Sequence, residues 1–374
     1  MNRLEYRLAA AVLMVLGWLF DRLPGHPRRV VMASPRKPRL DGNLAALDAA
    51  IRRLRPGIEV VRLAEMYGYG LGGKLAYAAR MVRAMYHLRT AGLVVLDNAW
   101  LPVHVAPHPA RTTVVQVWHA AGALKRFGYD TVEPPAEPER TFLHRHYDWV
   151  VTSGEASREP WSRALRTPLE RVVPLGTART DVFFDAAAVA AIRERVLARH
   201  PALRDRRVIT YAPTFRGRGR GKRPAAGLDA GRLRAALGPG DALVLKSHPN
   251  LDPGLVVTAG FDVVVDPGDD MNELLLASDI LITDYSSSIF EWALLRRPLV
   301  LLVPDLADYE RDPGLYLDYR TEMLGTQVTD TDGVIGAIRE GRFDLAPYDA
   351  FIARHLGASD GHSGERWVER FLPR

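Results

Sequence analysis

Four short segments carry side chains suited to handling a phosphate ester. In Asp279–Ala293 (DILITDYSSSIFEWA) an apolar run ends at Thr283, and Asp284 and three serines then precede an apolar helical stretch containing Glu291. One serine suffices to cap a helix. Three of them past a strand also build an anion site, from hydroxyls, backbone N–H groups and the positive helix end. Val117–Gly128 (VWHAAGALKRFG) repeats the arrangement, delivering His119 to a tip of small residues with Lys125 and Arg126 behind it. A histidine in that place can act as a general base near neutral pH, and Ala120-Ala121-Gly122 leave room for a substrate. In Tyr211–Arg216 (YAPTFR) an arginine follows a strand, suited to a bidentate grip on phosphate. In Leu245–Pro249 (LKSHP), Lys246 and His248 follow another. A core histidine is the plainer alternative for His248, and His144 and His146 are expected at the surface.

Strands must present these tips. Apolar runs at Val30–Ser34, Glu59–Leu63, Leu93–Leu96, Thr112–His119, Trp149–Ser153 and Val172–Leu175 read as strands. Helical patterns lie between them, as at Leu44–Leu54 and Lys74–Arg89. The pattern restarts with Val208–Ala212, Ala242–Lys246, Asp262–Val265, Ile280–Thr283 and Leu299–Val303. Such alternation predicts an α/β protein with two parallel sheets, each covered by helices, and ligands beyond the carboxyl ends of the strands. The seam is expected between Gly176 and Arg207. Arg216–Gly227 (RGRGRGKRPAAG) reads as a basic loop, and a last helix near Tyr348–Phe371 is expected to cross back onto the first domain.

The expected domains are therefore 1–23 (an apolar helix), 24–180, 181–347 and a returning helix over 348–374. Residues Leu8–Phe20 are uninterrupted apolar chain with Arg3, Arg7 and Arg22 around them. That run is short for a bilayer span, which takes about 20 residues. No small-residue cleavage site follows, so a membrane-associating helix is expected, with Trp18 at headgroup level and the arginines on anionic lipid. The alternative is a first helix buried against the domain.

Composition sets outer limits. The chain has 374 residues, 47% hydrophobic and 25% charged, which is globular rather than disordered or membrane-spanning. The absence of cysteine excludes disulfides, thiolate metal sites and cysteine nucleophiles. No His/Asp/Glu spacing suggests a metal site, and neither a Walker loop nor G-x-G-x-x-G is present. The net charge of +6 favours an anionic partner.

Taken in order, Trp118-His119, Gly122, Leu124-Lys125, Gly128, Gly176–Asp181 (GTARTD), YAPTFR, LKSHP and Asp270–Leu275 through DYSSSIFEWALLRRP resemble the CDP-glycerol glycerophosphotransferase family of teichoic acid synthesis. The length and the VWHAAGALKRFG form are similar to its short, primase-like members. The resemblance covers about Leu93 to Tyr319. It departs at Ala178, where proline is frequent, and at Glu291, where aspartate is common.

The resemblance implies a GT-B architecture, two Rossmann-like domains facing across a cleft, in a peripheral enzyme on the cytoplasmic face of the membrane. It implies a CDP-alditol donor, most simply CDP-glycerol, and a hydroxyl of an undecaprenyl-linked saccharide as acceptor. His119 would take the acceptor proton. Ser286, Ser287, Arg216 and His248 would hold the pyrophosphate, with Asp284 orienting them and CMP leaving. Lys125, Arg179, Lys246 and Glu291 complete the implied substrate-binding set. No cofactor, no metal and no nucleic acid are expected. A nucleotide-sugar glycosyltransferase on the same fold, a nucleic-acid-binding protein and a non-catalytic membrane adaptor are the competing classes.

Overall fold

The computed structural model describes residues 3–35, 38–64, 70–131, 143–217 and 221–373. The chain forms two compact units. The first comprises 1–122, 126–181 and 356–374, and the second comprises 123–125 and 182–355. Each is built on one six-stranded parallel sheet.

In the first unit the strands are β1 (His26–Ser34), β2 (Glu59–Ala64), β3 (Ala91–Leu96), β4 (Thr113–Gln116), β5 (Trp149–Thr152) and β6 (Val172–Pro174). Their order is β2-β1-β3-β4-β5-β6, so the winding reverses between β1 and β3. Val30, Met32, Val95 and Val115 face Leu44, Leu47 and Ile51 of the helix Gly42–Leu54 and Trp367 of the helix Ser363–Phe371. Burial on both faces is what makes these strands read as unbroken apolar runs.

The second unit holds β7 (Arg207–Ala212), a small antiparallel pair β8 (Phe215–Arg216) and β9 (Arg223–Pro224), then β10 (Asp241–Lys246), β11 (Val263–Val265), β12 (Ile280–Thr283), β13 (Leu299–Leu302) and β14 (Thr326–Val328). The sheet order β11-β10-β7-β12-β13-β14 is that of a dinucleotide-binding Rossmann sheet, with its switch between β7 and β12. Ile209, Leu243, Ile282 and Val300 fill one face with Val334.

Three expectations change. The basic stretch is not all loop, because β8 and β9 pair across it; residues 218–220 lie outside the described residues. The predicted last helix is two helices, Tyr348–Leu356 and Ser363–Phe371, and they fall in different units. The predicted strand Thr112–His119 stops at Gln116, since Trp118 has φ of 51° and leaves the extended region.

The first helix, Arg3–Phe20, is buried on one side and open on the other. Ala10, Leu13 and Gly17 are buried, and the helix packs along the helix Gly70–Thr90. Leu8, Val12, Val15 and Trp18 are all more than half exposed. Among the described residues no helix is long and apolar enough to cross a membrane.

Candidate functional site

Each sheet gathers its polar residues where its winding reverses, as the topology requires. In the first unit β1 and β3 run level, with Ala33 opposite Leu96, so Ser34 and Asp97 emerge together. Buried Ser34 donates from Oγ to Asp97 Oδ2 at 3.1 Å. The Asp97 carbonyl lies 3.1 Å from Nδ1 of His119. A carbonyl oxygen only accepts, so Nδ1 carries the proton and Nε2 is the basic nitrogen. That is the tautomer a general base needs.

The backbone around His119 is held from several sides. Trp118 N donates to Gln116 Oε1 at 2.9 Å. Buried Asn43 donates from Nδ2 to the carbonyls of Trp118 (3.0 Å) and Val117 (3.3 Å), and its Oδ1 accepts from Arg179 N. Arg179 Nη1 in turn donates to the His119 carbonyl at 2.8 Å. The structure thus places Arg179 against the main chain of His119. On the same turn, Asp181 receives the N–H groups of Ser363 (3.0 Å) and Gly364 (2.7 Å), capping the last helix.

The surface expectation for two histidines is corrected. His144 is buried and His146 half-buried. His144 Nδ1 and His104 Nε2 both meet the Tyr147 hydroxyl, and burial pushes their pKa values down to about 4 and about 3.

In the second unit Ala212 lies opposite Thr283, and the residues just beyond them interlock. Asp284 Oδ1 accepts from Thr214 N at 2.9 Å, and Oδ2 accepts from Thr214 Oγ1 at 3.0 Å and Arg216 Nη1 at 2.8 Å. Arg216 also forks onto Asp305, from Nε at 2.6 Å and Nη2 at 3.1 Å. The two carboxylates raise the guanidinium pKa against the opposing effect of burial. Tyr285 donates to Asp305 at 3.1 Å, and Tyr319 donates to the Asp284 carbonyl at 2.5 Å. Arg216 was expected to grip phosphate directly; here its donors meet two carboxylates.

Lys125 comes from the His119 segment in sequence, yet it belongs to this second unit. Its neighbour Leu124 accepts from Tyr316 N, and Nζ stands 5.3 Å from the Tyr309 ring. Burial lowers its pKa to about 8, with Arg216 adding to the fall and Asp284 opposing it.

Past β10, buried Lys246 donates to the carbonyls of Asp266 (2.5 Å) and Asp269 (2.9 Å), tying down the loop before the helix Met271–Ala277. His248 Nδ1 accepts from Asn250 N at 3.1 Å, so in the neutral ring Nε2 carries the hydrogen. This is the tautomer opposite to that of His119, a donor rather than a base. At the start of the helix Ser288–Leu295, Ser286 Oγ accepts from Ser288 N and pairs with Ser288 Oγ at 2.8 Å. Ser286 and Ser287 are half-exposed at that positive end, whereas Glu291 is buried inside the helix.

Sequence reasoning missed Asn43, Asp97, Thr214 and Asp305. Asp97 and Asp305 each lie just past a strand, as His119 and Arg216 do, but a carboxylate there does not by itself suggest phosphate binding. Asn43 gave no signal, because its partners are main-chain carbonyls distant in sequence.

Residues 19–372 match the family described as CDP-Glycerol:Poly(glycerophosphate) glycerophosphotransferase. The chain belongs to that family. It is a CDP-alditol phosphotransferase of teichoic-acid-type synthesis. It is 32% identical to a teichoic acid ribitol-phosphate primase of Bacillus spizizenii, over 94% of this chain and 93% of that one. A teichoic acid poly(ribitol-phosphate) polymerase of the same organism is 33% identical over 79% of this chain but only 48% of its own length. Among solved structures, the wall teichoic acid polymerase TagF matches with a TM-score of 0.77 at 20% identity, covering 99% of this chain and 97% of that one. The fold is accordingly GT-B-like.

Proposed function

We propose that this chain is a primase-type enzyme, which transfers one alditol phosphate from a CDP-alditol to a hydroxyl of an undecaprenyl-linked saccharide and releases CMP. The observation that carries this reading is the tautomer of His119, fixed by the Asp97 carbonyl. Nε2 takes the proton from the acceptor hydroxyl, which attacks the β-phosphorus in line. His248, with its hydrogen on Nε2, donates to the departing phosphate. The Ser286–Ser287 helix start and Lys125 bind the pyrophosphate, while Arg216 keeps Asp284 and Asp305 in place. Lys246 and Arg179 serve by fixing a loop and the His119 backbone. Positioning and electrostatics supply most of what phosphoryl transfer needs.

CDP-glycerol is the simplest donor by resemblance, but both reported relatives carry ribitol phosphate in their names, which makes CDP-ribitol the first to test. The exposed apolar side of the first helix, with Arg22 stacked on Trp18, suits attachment to an anionic membrane surface on the cytoplasmic side. Incubation with CDP-ribitol or CDP-glycerol and a short lipid-linked disaccharide, followed by mass analysis, tests the reading. One added alditol phosphate per lipid is expected. A ladder of many added units per lipid would favour a polymerase, and no addition from either donor would overturn the reading.

A further inference from the structure

Behind the turn that carries His119 lies a buried polar group to which the mechanism above gives no part. His104, from the short helix Leu101–Val105, points Nε2 at the Tyr147 hydroxyl at 3.0 Å, and His144 points Nδ1 at the same oxygen at 3.1 Å. Burial raises the pKa of that hydroxyl, and the Gln116 side chain, which stands near it, opposes the rise more weakly. Gln116 itself is fully buried at the end of β4; its Nε2 donates to the Asn98 carbonyl at 3.1 Å and its Oε1 accepts from Trp118 N.

The valences close on one arrangement. A phenol oxygen donates once and accepts twice. With one hydrogen to give, the phenol serves one imidazole nitrogen, and the other nitrogen must donate to it. Two donating nitrogens would leave the phenol hydrogen without an acceptor in a buried site, at a cost of about 1–3 kcal/mol. The accepting ring is therefore neutral, and burial, which lowers both pKa values, favours the neutral form of the other as well.

The group's outlet is Trp118. That residue holds φ of 51°, a region that side-chain-bearing residues rarely adopt, and His144 holds the same φ. The Trp118 ring stacks on Phe127, with centroids 4.9 Å apart, lies 4.5 Å from the His119 ring and meets the His144 ring edge-on at 5.6 Å. A strained turn persists only where its surroundings over-determine it.

We propose that Tyr147 is a positioning residue for His119, holding through His144 the Trp118 ring and with it the left-handed turn on which the base is mounted. The proposal rests on the reading of His119 as the base. Tyr147→Phe keeps the ring and removes the hydroxyl. It is expected to lower kcat by about 10- to 100-fold, the effect of a small misplacement of a reacting group, with CDP-alditol affinity unchanged. In ¹⁵N-histidine spectra, the His119 signal, assigned by its loss in His119→Gln, should pass from the Nδ1-protonated form to a mixture of tautomers. A general loss of stability would not produce that change. Should Tyr147→Phe not fold, His144→Phe keeps a ring beside Trp118, breaks the same chain at its next link and is read identically. Wild-type kcat with an unaltered His119 signal, or a parallel fall in donor affinity, would overturn the proposal. His119→Ala separates the two readings: if it stays active, the base assignment fails, and if it alone loses activity, only the positioning role of Tyr147 fails.

Discussion

Two histidines of the same sequence stand with opposite hydrogen placement, and a single main-chain partner decides each. His119 meets a carbonyl, so Nδ1 donates and Nε2 is basic; His248 meets the Asn250 N–H, so Nδ1 accepts and Nε2 donates. The sequence showed both residues at strand ends but not their tautomers, which depend on Asp97 and Asn250 after folding. Lys125 illustrates a different limit. Its position beside His119 in the chain hid its environment of Asp284, Arg216 and Tyr309. Its lowered pKa gives a signed prediction. Below about pH 8 the ammonium is charged, and in the proposed site it would attract the donor pyrophosphate; above that pH the charge is lost. Calorimetric affinity for the CDP-alditol should therefore weaken as pH rises through about 8, and a bound anion should raise the lysine pKa in return. Lys125→Met should bind weakly at every pH. Affinity that ignores pH across this range in the wild type would remove Lys125 from the donor site.

At the scale of elements, the apolar strands were legible because parallel sheets bury both faces and leave continuous hydrophobic runs. Ends were less so. β4 stops three residues early because Gln116 and Asn43 bind the backbone of Trp118 out of the extended region, which no local propensity encodes. The GTARTD segment looked like a substrate motif, yet much of it is architecture. Gly176, at φ of 95°, leaves no room for a Cβ beside the Ala358 carbonyl, and Asp181 caps the helix Ser363–Phe371. Asp181→Ala should cost about 1 kcal/mol, the usual worth of an N-cap, measured by denaturant unfolding. Amide exchange over 363–371 should quicken more than elsewhere. Equal protection in both proteins would mean that the cap carries no stability.

For the whole molecule, the order of motifs led to the family and to two parallel sheets, since each motif lies past a strand and strand order sets where ligands go. The first helix needed the structure. Its composition is apolar all round, so only packing reveals that Ala10, Leu13 and Gly17 are used internally while Leu8, Val12, Val15 and Trp18 face outward. Deleting it would uncover the helix Gly70–Thr90, so outward substitutions are the cleaner test. Val12→Ser, Val15→Ser and Trp18→Ser together should abolish sedimentation with anionic vesicles and leave the fold intact. Wild-type sedimentation in the triple variant would place membrane attachment elsewhere. Added salt should weaken the wild-type binding, because arginines contribute.

If His119 removes the acceptor proton in an alditol-phosphate transfer, CMP release must depend on both the acceptor and this imidazole. With CDP-alditol and a lipid-linked saccharide, the wild type should release CMP only when the acceptor is present. His119→Ala should be about 10²–10⁴-fold slower with unchanged donor affinity, the usual contribution of a general base. Release by His119→Ala at the wild-type rate, with the acceptor present, would show that His119 is not the base.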